Sequence, residues 1–292
     1  MRRLIVNADD FGLTAGVNRA VEELHAAGVL TSTTLMARAG ATDAAIALAR
    51  ATPTLAVGCH VVLVDGAPVL SAHAEIPDLA RANRQTGASR FRSGLPGFLR
   101  GLYLGPGRQS YCSQIEAEVR AQIEYLQDAG VAITHVDTHK HTHMFPSVLR
   151  AVLRAARACG LGAVRNPFEP SWAVRATAGA GWARIAEVSV LRWLAPVCRR
   201  IVADEGFATT DGTIAVVGTG VLDAAMVRSF LRQLPEGTWE LVTHPGYNDA
   251  DLDRVRTRLR ASRDTERAAL AAIREFPEIE LISYRDLKPA PS

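Results

Sequence analysis

The chain has 292 residues, of which 48% are hydrophobic and 22% are charged, a composition typical of a globular protein with enough apolar mass for a core. The 33 basic and 30 acidic residues leave a net charge of only +3, which excludes nucleic acid as the main partner. No uncharged apolar run is long enough to cross a membrane, and the first run ends at Ala8, too early for an export signal. The four cysteines form no CxxC pair, so a cytoplasmic location is expected.

Apolar runs alternate with amphipathic segments along most of the chain. The pattern predicts strands at residues 3–8, 29–37, 55–63, 131–139, 162–166, 212–218, 239–244 and 279–284. Helices are predicted at residues 15–27, 41–51, 112–130, 146–160, 223–234 and 251–275. Repeated β-then-α units produce a parallel sheet covered by helices. The number of units favours one domain over residues 1–292, folded as a distorted (β/α) barrel.

Two stretches depart from this alternation. Residues 64–111 are rich in glycine, proline, arginine and aromatic residues. A connection this long inside a compact domain is usually functional, so we expect a lid or insertion there. Residues 168–206 include the apolar segment WARIAEVSVLRWLAPVCRRI, which Arg184, Glu187 and Arg192 interrupt. That segment is either a packed helical insertion or a surface that meets a lipidic substrate or a partner subunit.

Half of the eight histidines occur in one short run, THVDTHKHTHMFP. In an extended strand, His135, Asp137 and His139 lie on one face, and His141 and His143 would continue that face if the strand persisted. Such a row is costly in a core, because each buried polar group needs a partner. At the carboxyl end of a parallel strand, the same row faces the usual site of a barrel enzyme.

Distance limits how many of these histidines can bind one ion. His139 and His143 are about 13 Å apart along an extended strand, at about 3.3 Å per residue, whereas metal–nitrogen bonds are about 2 Å long. One or two histidines of the run are therefore expected to bind a metal. The others are expected to contact substrate, support the ligands or serve the structure.

Further candidate ligands follow other predicted strands. Asp9 and Asp10 come directly after the first strand in NADDFG, and two adjacent carboxylates repel each other unless a cation or proton intervenes. Capping of the next helix is a weaker explanation, because Thr14 suits that role. His60 lies near the end of the third strand in VGCHVVL and is either a core histidine or a ligand. His244 repeats this arrangement in LVTHPG.

Asp10, His60 and His139 would make a set of two histidines and one carboxylate with positions left open for water and substrate, as in catalytic metal sites. An ion held there would lower the pKa of its bound water and polarise an attacked carbonyl. Asp9 is placed to act as the general base and His244 as the general acid. Together these parts predict a metal-assisted hydrolase of an amide or ester.

The segments VNADDFGL, VLTSTTLM, VGCHVVL, THVDTHKHTHMFP and THPG occur in this order over most of the chain. With them the chain resembles the YdjC-like carbohydrate deacetylases, relatives of the polysaccharide deacetylases. The resemblance implies a distorted barrel of the polysaccharide-deacetylase type with a helical insertion, and removal of N-acetyl groups from amino sugars with one divalent cation. It implies that Asp10, His60 and His139 bind the metal and that Asp9 is the base. The acid role of His244 rests mainly on its position.

The segments at 90–110 and 168–206 exceed what a minimal chito-oligosaccharide deacetylase of this kind has, and they look like the branch associated with hopanoid biosynthesis. That branch implies N-acetylglucosaminyl hopanoid as substrate, glucosaminyl hopanoid and acetate as products, and peripheral contact with the inner membrane surface. A deacetylase of soluble chito-oligosaccharides is the alternative within the same reaction class. A non-catalytic metal- or sugar-binding protein is the alternative from another class. A phosphoesterase is disfavoured, because the chain has no glycine-rich phosphate cradle.

Five further residues are candidates for smaller roles. Asp137 is expected to hydrogen-bond an imidazole, and Tyr247 to contact substrate. Arg165 either orients the sugar or a catalytic carboxylate, or is a surface charge. His141 and His143 are candidates for binding substrate or supporting the ligands. Mixed histidine and aspartate ligation suits zinc, with magnesium or another divalent ion as alternatives, and a homodimer is the expected oligomer.

Overall fold

The computed structural model of the protein describes residues 1–83, 85–92, 94–105, 107–177, 179, 181–255 and 257–289. The strands in these ranges are β1 (Arg2–Phe11), β2 (Ser32–Leu35), β3 (Ala56–Val61), β4 (Ala80–Ala82), β5 (Ser89–Phe91), β6 (Ile133–Thr138), β7 (Gly212–Ile214), β8 (Gly237–Thr243) and β9 (Glu280–Leu281). Six of them form a curled sheet in the order β6-β3-β2-β1-β8-β7, to which β9 adds by pairing with β1. All pairs in this sheet are parallel.

Helices follow most strands of the sheet. They are α1 (Ala15–Ala26), α2 (Thr42–Ala51), α3 (Gly94–Leu104), α4 (Arg108–Asp128), α5 (Pro146–Ala158), α6 (Ser171–Ala176), α7 (Trp182–Leu191), α8 (Ala195–Asp204), α9 (Ala224–Gln233), α10 (Ala250–Asp253) and α11 (Ala261–Ala269). Short 3₁₀ segments occupy His139–Met144, Arg192–Leu194, Leu270–Glu275 and Tyr284–Asp286. Thr14 caps α1 as expected, because its side chain accepts the N–H of Val17.

Strand β1 lies at the centre of the sheet, between β2 and β8. From Leu4 to Phe11 every residue is buried, which explains the continuous apolar run of a parallel strand that is covered on both faces. Asp10 has a φ of 64°, and the register of β1 against β2 shifts between Ala8 and Phe11. The two carboxylates of the strand therefore lie at a local bulge where parallel strands end together.

The curled sheet closes incompletely between β6 and β7. Residues 162–168 run through this region, with single parallel bridges from Val164 to Val136 and from Ala163 to Ala208. The strand predicted at 162–166 is reduced to these bridges, and Pro167 follows directly without an N–H to continue a ladder. The prediction of a distorted (β/α) barrel is thus confirmed.

Several predicted elements have other bounds in the structure. The strand predicted at 131–139 stops at Thr138, because Lys140 and His141 have φ values of 56° and 50° and turn the chain into a 3₁₀ segment. His141 and His143 therefore do not continue the face of His135 and Asp137.

The helix predicted at 251–275 is divided into α10, α11 and a 3₁₀ segment. Arginines stand at alternate positions from 254 to 260, a spacing that spreads charge around a helix and leaves no apolar face.

The two unusual stretches both contribute to the main apolar cluster. Residues 64–111 form the β4–β5 hairpin and α3, and Phe98 and Leu102 of α3 are buried. The described part of 168–206 carries α6, α7 and α8, and Ile201 of α8 is buried. Trp182, at the start of α7, and Trp193, in the 3₁₀ segment that follows it, are each 84% exposed. No helix in the described ranges combines the length and apolarity needed to cross a bilayer.

Candidate metal and catalytic site

The sheet brings candidate side chains from four strands to its carboxyl edge. Asp10 lies near the end of β1, and His60 lies in β3, directly opposite Asp137 of β6 in the strand register. His139 is the first residue beyond β6, and His244 is the first beyond β8. Parallel strands place their carboxyl ends on one side, so residues far apart in sequence meet there.

Asp10, His60 and His139 form a compact triangle of ligand atoms. Nε2 of His60 lies 3.3 Å from Nδ1 of His139. Oδ1 of Asp10 lies 3.6 Å from the first nitrogen and 3.4 Å from the second. The side chain of His139 is 25% exposed, whereas the other two are buried. The triangle therefore has an open side at His139.

This triangle fits a divalent cation on two observations. Three ligands at about 2.0–2.1 Å around a tetrahedral ion are about 3.3–3.4 Å apart, close to the distances found. Oδ1 of Asp10 is also a buried oxygen without a hydrogen-bond donor among the described residues, and such an atom is costly unless a cation or donor reaches it. The residues present could therefore hold one ion.

Asp137 orients His60. Nδ1 of His60 lies 2.9 and 3.0 Å from the two carboxylate oxygens of Asp137. Since a carboxylate can only accept, Nδ1 carries a proton, and Nε2 is the nitrogen that faces the triangle and would bind an ion in its deprotonated form. Burial lowers the pKa of His60, but Asp137, Asp9 and Asp10 outweigh it and raise the pKa to about 9. Such an excess of negative charge is typical of a cation site.

Asp9 is held by Arg165. Nη1 and Nη2 of Arg165 donate to the two oxygens of Asp9 at 2.9 and 2.7 Å, and the same guanidinium donates to Asp137 and Glu240. Burial raises the pKa of Asp9, but Arg165 and His60 outweigh it and hold the pKa well below its ordinary value. Arg165 is 1% exposed, so its interpretation as a surface charge is wrong.

His244 faces Asp9 from the carboxyl end of the neighbouring strand β8. Its Nε2 lies 3.9 Å from Oδ2 of Asp9, and its Nδ1 lies 3.7 Å from Glu266. Burial lowers the pKa of His244, but Glu266, Asp9 and Asp10 together raise it. The imidazole is thus biased towards its protonated form while Asp9 remains ionised.

The other histidines of the run have different surroundings. His143 is fully buried and lies 2.7 Å from the Thr138 hydroxyl and 3.2 Å from the carbonyl oxygen of Arg165. His135 stacks on Tyr284 with ring centroids 3.6 Å apart. His141 has a buried Nδ1 without a partner among the described residues. Burial and the Arg165 charge lower its pKa well below the ordinary value.

Tyr247 has its contacts outside the triangle. Its ring lies between Arg19 and Arg267, at 3.5 and 4.2 Å from the two guanidinium carbons. Its hydroxyl donates to Glu23 at 2.5 Å. Its expected contact with substrate remains a prediction.

Sequence reasoning missed several charged residues that hold the site. Glu240 interrupts the apolar strand WELVT, and a buried charge inside a strand requires a partner, which was the available signal. Arg263 and Glu266 occupy one face of α11 and are buried. Nothing in the sequence indicated that these two residues are buried, because arginine and glutamate are common on exposed helices.

The profile of the family described as YdjC-like protein matches residues 3–275. The chain belongs to the YdjC-like family. A carbohydrate deacetylase of Thermoanaerobacter pseudethanolicus is 28% identical over 92% of this chain and 91% of its own length. One from Brevibacillus brevis is 40% identical over 53% of this chain, which spans only 55% of that relative.

A solved structure supports the fold of this YdjC-like protein. A candidate cellobiose-phosphate cleavage protein of Enterococcus faecalis V583 superimposes with a TM-score of 0.69 and 25% identity. The superposition covers 97% of each chain. The likeness therefore extends over nearly all of the fold.

Proposed function

We propose that this YdjC-like protein is a carbohydrate N-deacetylase that uses one divalent cation held by Asp10, His60 and His139. The observation that carries the proposal is the triangle of 3.3–3.6 Å between their ligand atoms. Beside it lie the Asp9 carboxylate, whose pKa is lowered by Arg165, and the His244 imidazole, whose pKa is raised by Glu266. The names of the curated relatives support the reaction class.

A cation bound there would polarise the acetyl carbonyl and lower the pKa of an attacking water. Zinc suits the mixed histidine and aspartate ligands and the tetrahedral spacing, with magnesium or another divalent ion as alternatives. The chain's own residues would then position the reactants and move the protons.

Asp9 and His244 have the charges that a base and an acid need before reaction. Asp9 would accept a proton from the attacking water, and His244 would donate one to the leaving nitrogen as the acetyl C–N bond breaks. The low pKa of Asp9 makes it hold that proton only briefly. Since His244 Nε2 lies 3.9 Å from Asp9, the proton can pass to the imidazole once that has given up its own, which restores both groups.

We also propose N-acetylglucosaminyl hopanoid as the substrate. A cavity of about 430 Å³ lies between α3 and α7, lined by Leu95, Leu99, Phe145, Val190 and Leu191 among others. Phe145 directly follows the His139–Met144 segment, which begins with a proposed metal ligand, and this supports the groove as the place for the lipid part. An apolar groove there suits a substrate whose sugar is attached to a lipid.

Two exposed tryptophans support peripheral contact with a membrane. Trp182 begins α7 and Trp193 lies in the 3₁₀ segment that follows it, and both are strongly exposed. Exposed aromatic residues of this kind suit a bilayer interface. A homodimer through the same face is the competing arrangement, and size-exclusion chromatography at several protein concentrations would reveal it.

Acetate release by the purified protein tests the proposal. We expect release from N-acetylglucosaminyl lipid, loss of activity after chelation, and recovery on adding a divalent cation. Release from chitobiose alone would refute the lipid-linked substrate while leaving the reaction intact. No release from either sugar, with metal present, would contradict the proposed function.

A further inference from the structure

We propose that Arg263 is a positioning residue that keeps Asp10 a one-oxygen ligand and so leaves a coordination position of the cation open. The proposal rests on the proposed metal site. Arg263 is not itself a ligand, but it would limit the number of protein atoms that coordinate the ion.

The two oxygens of Asp10 have different surroundings. Oδ2 accepts a hydrogen bond from Nη2 of Arg263 at 2.5 Å. Oδ1 faces the nitrogens of His60 and His139 and has no donor among the described residues. A carboxylate with two free oxygens can bind an ion through both. Arg263 occupies one of them.

Arg263 makes no other ion pair within the described ranges. It is fully buried, and its Nε and Nη1 have no hydrogen-bond partner there. Burying a guanidinium costs desolvation free energy, and a single hydrogen bond to one carboxylate oxygen offsets little of that cost. The direction of Arg263 towards Asp10 is therefore the feature that needs a functional reason.

The helix that carries Arg263 is fixed on both sides of the site. One turn later, Glu266 accepts the backbone N–H of His244 at 2.6 Å and that of Gly220 at 3.2 Å. A methyl group on Gly246 would lie 3.0 Å from Cδ of Arg263, so the glycine of the THPG motif lets α11 approach closely. The same turn of α11 thus sets the position of both Asp10 and His244.

Cobalt(II) absorption spectroscopy tests this role without relying on activity. Four-coordinate cobalt absorbs visible light much more strongly than five- or six-coordinate cobalt. In Arg263→Met, the freed Oδ2 closes onto the ion, the coordination number rises, and the visible absorptivity falls roughly two-fold or more. Hydrolysis falls roughly 10–100-fold, as for other residues that orient metal ligands.

Matched variants separate this role from a general loss of structure. Arg254→Met removes an arginine that is 83% exposed and lies 3.8 Å from Asp251, and its spectrum should equal that of the wild type. Arg263→Lys retains a charged donor and should recover part of the absorptivity, and it also serves if the methionine variant does not fold. Urea denaturation checks the fold of each.

Two results would overturn the proposal. If folded Arg263→Met, or the lysine variant in its place, gives the wild-type cobalt spectrum, Arg263 does not control the coordination of the ion. If the wild-type protein binds no cobalt or zinc at all, the proposed metal site fails, and this role fails with it. The first result leaves the proposed function standing, whereas the second does not.

Discussion

Asp9 and Asp10 are neighbours in sequence, but two arginines hold them in different ways. Arg165 donates to both oxygens of Asp9 and also to Asp137 and Glu240. Arg263 donates to one oxygen of Asp10, and in the described part of the chain the other oxygen has no donor. Both oxygens of Asp9 thus accept hydrogen bonds from an arginine, whereas only one oxygen of Asp10 does. This difference favours Asp10 over Asp9 as the proposed metal ligand.

Replacing each aspartate in turn should have the largest effects, and different ones, on metal binding and on hydrolysis. Asp10→Asn removes a charged ligand, so zinc affinity should fall by at least roughly 100-fold. Asp9→Asn should retain zinc and lose roughly 10²–10⁴-fold in hydrolysis, as expected for a missing base. Isothermal titration with zinc and the acetate assay measure the two effects. Unchanged hydrolysis in Asp9→Asn would remove Asp9 from the mechanism, and full activity loss with metal retained would argue against a mere binding protein.

Removing Arg165 should cost the largest amount of stability. Arg165→Met leaves Asp9, Asp137 and Glu240 buried without their shared cation, and breaking a buried pair costs about 3–5 kcal/mol. Arg228→Met is the control, since its pair with Glu275 is exposed and should contribute less than about 1 kcal/mol. Urea denaturation compares the free energies of unfolding. Equal losses of unfolding free energy in the two variants would show that the buried ion pairs of Arg165 contribute no more stability than an exposed pair.

His143 supports the Arg165 side of the site and should make the fold sensitive to acid. Burial and the Arg165 charge lower the pKa of His143 to about 4, despite Asp137. Because this pKa is below the unfolded value of about 6.5, the unfolded state binds the proton more readily. The stability contribution is complete above pH 6.5 and is lost as the pH falls towards 4, by on the order of 3 kcal/mol.

His143→Gln should flatten this pH dependence while leaving the two neutral contacts of the side chain available. Free energies of unfolding at pH 7 and pH 4.5 measure the difference between variant and wild type. The same slope in both proteins would show that His143 is not the group that titrates.

Of these substitutions, Tyr284→Phe should lower the stability of the fold the least. Its hydroxyl donates to Glu240 at 2.6 Å, but Arg165 and Thr213 also donate to that carboxylate. Loss of one donor of several should cost about 1–2 kcal/mol, while the ring still stacks on His135. Thermal unfolding measures this change, and a loss as large as that of Arg165→Met would mean that the tyrosine, not the arginine, supports the cluster.

The sequence predicted the strand ends better than the chain between them. β1, β3 and β8 follow from apolar runs, and the histidines and aspartates in or just after their last residues were recognisable as polar residues near the end of a buried strand. The turn after Thr138 was not predictable. Its left-handed residues are Lys140 and His141, and lysine is not among the residues enriched at positive φ.

The partners of the site residues were also beyond sequence reasoning. The sequence does not distinguish Arg165 from Arg263 as a partner for Asp9 or Asp10. Each arginine contacts a different aspartate because of where its backbone lies in the folded chain. The bulge at Asp10, which places both carboxylates near one centre, depends on pairing with β2. Such contacts arise from tertiary packing and carry no local signature.

The separation of 253 positions between Asp10 and Arg263 has a consequence for synthesis of the protein. A nascent chain that has emerged as far as residue 255 already contains Asp10, His60 and His139, but α11 is still missing. Until α11 packs against the sheet, both oxygens of Asp10 are available to an ion. In the proposed site, a metal bound at that stage would have to change its coordination when Arg263 reaches Asp10.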